Sequence, residues 1–235
     1  MDAQEDISAG HPGGGRWEDP QRVRQWIAND RLGETFALPH RLAASIVACE
    51  DFEPSVVIDV GAGPGEFLAC FLERFPATRG VWLDSSEAML EIGADRLARF
   101  GGRVDFIVAD MTELTALESE IQPEVLLTSR ATHILDAADL ESFYATACSR
   151  WPGLRWIVNL DHVGHDEFWH ERYQLARREL LDSASVKRSG GKGHPASMPS
   201  TADHLRAMAK AGADHVDIAW SAFYSALMIG HLPGS

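Results

Sequence analysis

The stretch that most constrains this chain is Val56-Val57-Ile58-Asp59-Val60, followed at once by Gly61-Ala62-Gly63-Pro64-Gly65-Glu66. A short β-branched run, broken only by Asp59 and closed by glycines at alternate positions, reads as a buried parallel strand running into a tight turn. Phe67, Leu68, Phe71 and Leu72 follow at helical spacing, so the turn opens a helix with one apolar face. A strand, a glycine turn and a helix bring bare backbone to the place where a ligand can lie against it. The spacing narrows the ligand. A dinucleotide loop of the form G-x-G-x-x-G puts its third glycine at position 66, and that residue is Glu66. Pro64 also removes one N–H from the loop, so it suits a diphosphate poorly and an uncharged or cationic adenosyl compound better.

Strand and helix patterns alternate along the middle of the chain. Strands are expected near residues 56, 80, 104, 125 and 155, separated by helical patterns. Such alternation predicts an α/β fold with a Rossmann-like, doubly wound sheet. After it come a helix over 201–211, with Ser200 as N-cap and Gly212 as its stop, and two strands, 215–220 and 223–231. The sheet is therefore expected to be mostly parallel, with a C-terminal antiparallel hairpin. At the other end, residues 1–15 are polar and glycine-rich and are expected to be disordered. Helices are expected from Pro20, with Asp19 as cap, and from Leu42 to Cys49.

Three more strand ends carry polar residues in order. Gly80-Val-Trp-Leu-Asp84 ends in a carboxylate ~20 residues past the glycine loop, the distance at which an acidic side chain meets a ribose. A carboxylate accepts from both ribose hydroxyls at once. Ser85, Ser86 and Met89 follow it, with Ser86 placed to cap a helix. The third strand closes on Asp110 and Met111, and the fourth, Val125–Thr128, leads into Ser129-Arg130-Ala131-Thr132-His133.

Asp59-Val-Gly-Ala-Gly-Pro-Gly, with Asp84 and Asp110 behind it, resembles the class I S-adenosylmethionine-dependent methyltransferases. The resemblance is specific over about 55–135, looser to 160 and topological beyond. It implies S-adenosyl-L-methionine as cofactor and S-adenosyl-L-homocysteine as product. It implies a cofactor site of Asp59, Gly61, Ala62, Gly63, Gly65, Asp84, Ser85, Met89, Asp110, Met111, Ser129 and Arg130. Met89 would lie against the adenine, Asp110 would accept from its amino group, and Met111 would stack beside the ring. The same resemblance divides the chain into a tail (1–15), an N-terminal helical lid (16–50), a cofactor-binding core (51–160), a substrate-cover insertion (161–200) and a closing helix and hairpin (201–235). The cover contains a basic, glycine-rich run, residues 187–195, with His194 in it.

A formal net charge of −14 makes nucleic acid a poor partner. The Asn/Asp-Pro-Pro-aromatic run of nucleic-acid amino-methyltransferases is missing after the fourth strand, where Thr128-Ser129-Arg130-Ala131 stands. A small-molecule methyl acceptor, reacting through oxygen or nitrogen and belonging to natural-product chemistry, is the expected substrate class. With no apolar run of about 18 residues and no leader pattern, a cytoplasmic protein without a membrane span is expected, as a monomer or homodimer. Cys49, Cys70 and Cys148 are expected to be reduced core cysteines.

Methyl transfer is an in-line displacement that needs positioning and, for an oxygen nucleophile, a base. His133, just past the fourth strand, is the first choice for that base; packing over the cofactor and capping the next helix are the other roles open to it. His162, in the cluster Asp161, His162, His165, Asp166 and His170, is the second. Their spacing gives no helical H-x-x-x-H pair, so no metal is expected. Arg130 is placed to bind a carboxylate or to pair with Glu124 or Asp136. Trp17, Trp26, Phe36, His165, Trp169 and Tyr173 are the expected substrate-cavity residues, with Arg31 beside them. Three other readings stay open: a non-methylating reaction such as cyclisation on the same cofactor, a non-catalytic adenosyl-binding protein, and a nicotinamide dehydrogenase, which Glu66 and the terminal hairpin disfavour.

Overall fold

The computed structural model describes residues 17–29, 32–117, 120–181 and 198–234. The tail at 1–15, Arg31 and the basic run at 187–195 lie outside them, as does the side chain of Trp26.

Alternation along the first strand, β1 (Val56–Val60), sets the two layers. Ile58 and Val60 enter one apolar cluster and Val57 the other, as a period of two requires. Helices cover both sides: α1 (Pro20–Asn29), α2 (Leu32–Val47), α3 (Glu66–Arg74), α4 (Glu87–Leu97), α5 (Ala137–Arg150), α6 (Glu167–Leu181) and α7 (Thr201–Lys210). The remaining strands are β2 (Arg79–Asp84), β3 (Val104–Val108), β4 (Val125–Ser129), β5 (Trp156–His162), β6 (His215–Ala222) and β7 (Ser225–His231). They pair in the order β3-β2-β1-β4-β5-β7-β6. β1 to β5 are parallel, β7 runs antiparallel to β5, and β6 antiparallel to β7. This is the expected doubly wound sheet with its closing hairpin. The chain steps outward from β1 to β3, then returns to place β4 on the other side of β1. That reversal opens a crevice beyond the carboxyl ends of β1 and β4, where ligands bind in such sheets.

Several local expectations change. The helix expected from Leu42 starts at Leu32, and Pro39 lies inside it. A proline is tolerated there because Phe36, His40, Ala43, Ala44 and Val47 form one buried stripe, and packing outweighs the missing N–H. Between β3 and β4 the described residues hold no α-helix, only a short 3₁₀ turn at Leu114–Ala116. Strand β3 is therefore an edge, with Phe106 and Val108 exposed. β5 runs two residues past Leu160, so Asp161 and His162 are strand residues on opposite faces. Cys49 is exposed, and Cys70 and Cys148 are half-buried; all three are free thiols, but Cys49 is no part of the core.

Ser200 caps α7 and exchanges bonds with Asp203 in a capping box. Ser86 caps α4 by accepting from Met89 N, which fixes the first turn beside Asp84. No helix among the described residues is long and apolar enough to cross a membrane.

Candidate active site

The glycine loop is held from both sides. The N–H groups of Gly61 and Ala62 donate to the carbonyl of Leu83, at 2.8 and 3.0 Å, and Gly65 N donates to Ala62 O at 2.9 Å. Gly63 N donates to Asp84 Oδ2 at 2.8 Å, and the buried Trp82 indole donates to Gly63 O at 2.9 Å. Two glycines are required by what surrounds them. A Cβ at Gly61 (φ 71°) would fall 2.5 Å from the Cβ of Ala131, so only glycine lets β1 and β4 close together here. At Gly63 (φ 48°) a Cβ would meet nothing nearer than Met89 Sδ at 4.0 Å; it would fill the cavity instead.

Gly61, Ala62 and Gly63 line one cavity over the switch point with Asp84, Ser85 and Met89. Asp110 and Met111 close it on the β3 side, and Ser129, Arg130 and His133 on the β4 side. Trp17 lines it as well; its carbonyl accepts from the Ser86 hydroxyl, which ties the N-terminal segment to the start of α4. Burial raises the Asp84 carboxyl above its ordinary range, against the bonds from Ser86, Gly63 and Ser85 N–H groups. Both bonds at Asp110, from Thr112 N and Oγ1, fall on Oδ1, leaving Oδ2 open among the described residues. The Ser129 hydroxyl is buried without a partner among the described residues, and so is Nε2 of His40. An open carboxylate oxygen, orphaned polar atoms and a space that a Cβ would fill are what a polar, nucleoside-like ligand satisfies.

Two expected cofactor residues stand behind the cavity rather than in it. Asp59 is fully buried; its Oδ2 accepts from Leu68 N at 3.2 Å, under the first turn of α3, and Oδ1 has no partner among the described residues. Burial pushes its carboxyl up to about 7, opposed by the Leu68 N–H and aided by the charge of Asp84. Gly65 faces Leu97, 2.9 Å from where its Cβ would be, and serves the packing of α4.

At the other end of the cavity, His133 Nδ1 lies 2.7 Å from Asp161 Oδ1. Burial opposes charging the ring, but the carboxylate beside it prevails and raises the His133 value above the ordinary 6.5. Burial likewise works against the Asp161 charge, yet His133 holds that carboxyl well below its ordinary range. The sequence reading groups Asp161 with its neighbour His162. Strand alternation separates them, turning Asp161 toward β4 and His162 to the other face. There Nδ1 of His162 meets Ser225 Oγ at 2.9 Å and its ring packs against Tyr224, Phe36 and, with 5.5 Å between ring centres, His133, beside the cavity rather than in its lining.

The expected substrate residues divide. Trp17 lines the cavity. Phe36 is buried beneath the Arg130 guanidinium, which sits 5.1 Å from its ring centre. Arg130 (φ 53°) comes within 3.9 Å of Glu66, not Glu124 or Asp136; Glu124 instead accepts from Ser55 N, and Asp136 caps α5. His165, Trp169 and Tyr173 stack on one another at the start of α6, away from this cavity, with Trp169 half exposed. No group of three metal-ligating side chains gathers among the described residues. His40 was missed by sequence reasoning. It stacks on Phe67 at 4.4 Å, and burial first, then Arg130, lowers its value to about 3, so it is neutral. Its signal was the buried stripe of α2, hidden by Pro39.

A glycine loop at a topological switch point, with a carboxylate at the end of β2, is the arrangement of the class I S-adenosylmethionine-dependent methyltransferase domain. The chain carries such a domain: residues 57–150 match the family model described as a methyltransferase domain. The trans-aconitate 2-methyltransferase of Methylobacterium radiotolerans is 40% identical over 76 residues, covering 32% of this chain and 28% of that protein. The ribosomal RNA small subunit methyltransferase H of a Synechococcus species is 35% identical over 77 residues, 32% of this chain and 26% of that one. The chain thus spans less than a third of the curated relatives it matches. An O-methyltransferase family protein of Burkholderia thailandensis shares the fold at a TM-score of 0.69 and 18% identity, over 96% of this chain and 64% of that one.

Proposed function

We propose that the domain transfers a methyl group from S-adenosylmethionine to a hydroxyl oxygen of a small molecule, with His133 as general base. The observation that carries this reading is the His133–Asp161 pair at the cavity wall. Gly61, Gly63, Asp84, Met89, Asp110 and Ser129 would hold the donor, which supplies a methyl on a positively charged sulfur. With Nδ1 turned to Asp161, Nε2 is the nitrogen of His133 that would meet the acceptor. His133 takes the hydroxyl proton there as the oxygen attacks, and Asp161 stabilises the imidazolium that forms. Trp17 and α2 cover the cavity and keep water from the exchange.

The relatives differ in acceptor, one named for a small acid and one for RNA, while the fold neighbour is named for oxygen. A carboxylic acid is already ionised at neutral pH and needs no base, so a base held by a buried carboxylate favours a phenol or alcohol. The protein's negative charge supports a small molecule over nucleic acid.

The test has two stages. Calorimetry with S-adenosylhomocysteine is expected to give a one-to-one complex that Asp84→Ala weakens strongly. Methyl-labelled donor, offered phenols, alcohols, carboxylic acids and amines, is expected to yield a product heavier by one CH₂ from a hydroxyl acceptor. His133→Ala keeps the complex and loses that product. Absence of binding, or methylation confined to amines and indifferent to His133→Ala, sinks the proposal.

A further inference from the structure

We infer that Thr132 is a positioning residue for the His133–Asp161 pair: its hydroxyl, itself held by Asn159, pins Oδ2 of Asp161, so that Oδ1 stays aimed at His133 and keeps the proton of that ring on Nδ1. The inference rests on the methyltransferase reading for its purpose, though not for its geometry.

Asp161 is fully buried and receives four contacts. Oδ1 faces His133 Nδ1 and His162 N, both at 2.7 Å; Oδ2 faces Thr132 Oγ1 at 2.7 Å and His133 N at 3.0 Å. An ionised carboxylate only accepts, and about four contacts fill it. All four neighbours are therefore donors, and two of them have a choice that this removes. Nδ1 of His133 carries its hydrogen, and the single Thr132 hydroxyl hydrogen points at Asp161.

That settles the next link. Toward Asn159 the Thr132 oxygen can only accept, so the amide presents Nδ2, at 2.8 Å. With the amide turned over, its oxygen would face a hydroxyl whose hydrogen is already committed. The second Nδ2 hydrogen reaches Tyr144 OH at 2.7 Å. Tyr144 then donates onward to His204 Nδ1, at 3.2 Å, and that ring carries its hydrogen on Nε2. Asn159 and Asp161 lie two residues apart on one face of β5, while Thr132 comes from the 3₁₀ turn Thr132–Ile134 that follows β4, Tyr144 from α5 and His204 from α7. The chain ends at Nε2 of His204 and Oδ1 of Asn159, both buried without a partner among the described residues.

The charged and titratable groups facing this chain agree with the order. His133 sees Asp161 and Arg130, Asp161 sees His133, His162 and His204, and His204 sees Asp161, Asp203 and His133. Burial lowers the His204 value to about 4, so it is a neutral ring that accepts on one side. Every hydrogen follows from one anion, and the nitrogen of His133 left bare is the one a base needs.

The test reads the ring nitrogens directly. The full chain is labelled with ¹⁵N-histidine, and long-range ¹H–¹⁵N spectra are recorded at pH 8, with His133 and His204 assigned through His133→Gln and His204→Gln. The expected result is opposite tautomers: the proton on Nδ1 in His133 and on Nε2 in His204. Thr132→Val is expected to turn the His133 signals into those of a tautomer mixture, and Thr132→Ser to restore them. On an accepted substrate, Thr132→Val lowers kcat by about tenfold, part of what general-base catalysis supplies, with the donor KM unchanged and rescue by Thr132→Ser. A His133 protonated on Nε2 in the wild-type chain, or a Thr132→Val spectrum identical to wild type, overturns the inference. Should Thr132→Val not fold, Thr132→Ala takes its place, with a tautomer mixture at His133 expected and an unchanged spectrum overturning the inference. Expected tautomers with no methyl transfer count against the methyltransferase reading and leave the hydrogen order standing; wrong tautomers in a working enzyme do the reverse.

Discussion

Asp59 and Asp161 are two carboxylates buried to the same degree, two strands apart in one sheet, and they titrate in opposite directions. Among the described residues Asp59 has one N–H, from Leu68 at 3.2 Å, and an oxygen with nothing to bond. Asp161 has four donors, one of them an imidazole that becomes a cation. Burial therefore raises the first to about 7 and fails to raise the second. What separates them is the number and charge of the partners, and with it the work each group can do. Asp161 is a fixed anion that holds the proposed base; Asp59 changes charge near neutral pH beneath the glycine loop.

The strongest way to break this contrast is Asp161→Asn. It keeps the shape and removes the charge, and turnover is expected to fall roughly a thousandfold, while calorimetry shows S-adenosylhomocysteine bound as before. The wild-type rate climbs with pH through the His133 titration, above 6.5, because the base must be neutral. In Asp161→Asn that inflection moves downward, since burial remains and the opposing carboxylate is gone. Equal rates in the two proteins would end the argument for a base.

Asp59→Asn tests the other carboxylate. The folded chain protonates Asp59 more readily than the unfolded one, whose carboxyl titrates near 3.8. Its contribution to stability is therefore greatest below 3.8, declines as pH rises toward about 7, and is flat above. Urea titrations of wild type and variant are expected to diverge by on the order of 3–4 kcal/mol between pH 4 and pH 8 in favour of the variant. Parallel curves would show that Asp59 has partners this structure lacks.

His133→Gln makes Asp161 more like Asp59. Without the imidazole, burial is opposed only by neutral donors, so the carboxyl climbs from its depressed value. Stability at pH 7 is expected to drop by about 2–3 kcal/mol in urea. The contribution of Asp161, present above 3.8 and lost as pH falls through its folded value, shrinks accordingly. The smallest effect belongs to Ser129→Ala. Removing a buried hydroxyl without a partner changes stability by less than about 0.5 kcal/mol, and calorimetry is expected to show the donor bound about threefold more weakly.

The readable parts of this molecule were those set within a few residues. The strand and loop from Val56 to Gly65, the Ser86 and Ser200 caps and the aspartates closing β2 and β3 are local patterns, and the structure has each where the sequence puts it. The pairing of His133 with Asp161 is not local: it joins the ends of two strands 28 residues apart. Adjacency grouped Asp161 with His162; strand alternation puts them on opposite faces of β5, with the His162 ring 5.5 Å from that of His133 and outside the cavity lining. Pro39 hid the start of α2, because a local rule met a buried stripe that overrode it. Trp169 and Tyr173 found each other rather than the cavity, a choice made by the path of α6 and invisible in composition.

The loop at Gly61–Gly65 meets its ligand already set. Leu83 holds two of its peptide groups, and Asp84, Trp82 and Ala62 hold one each. Fixing a residue's backbone costs on the order of 1–2 kcal/mol of entropy, and here folding has absorbed that loss before any donor arrives. Affinity at this corner then reflects contacts alone, and the spent cofactor, sharing those contacts, meets the same rigid seat as the fresh one.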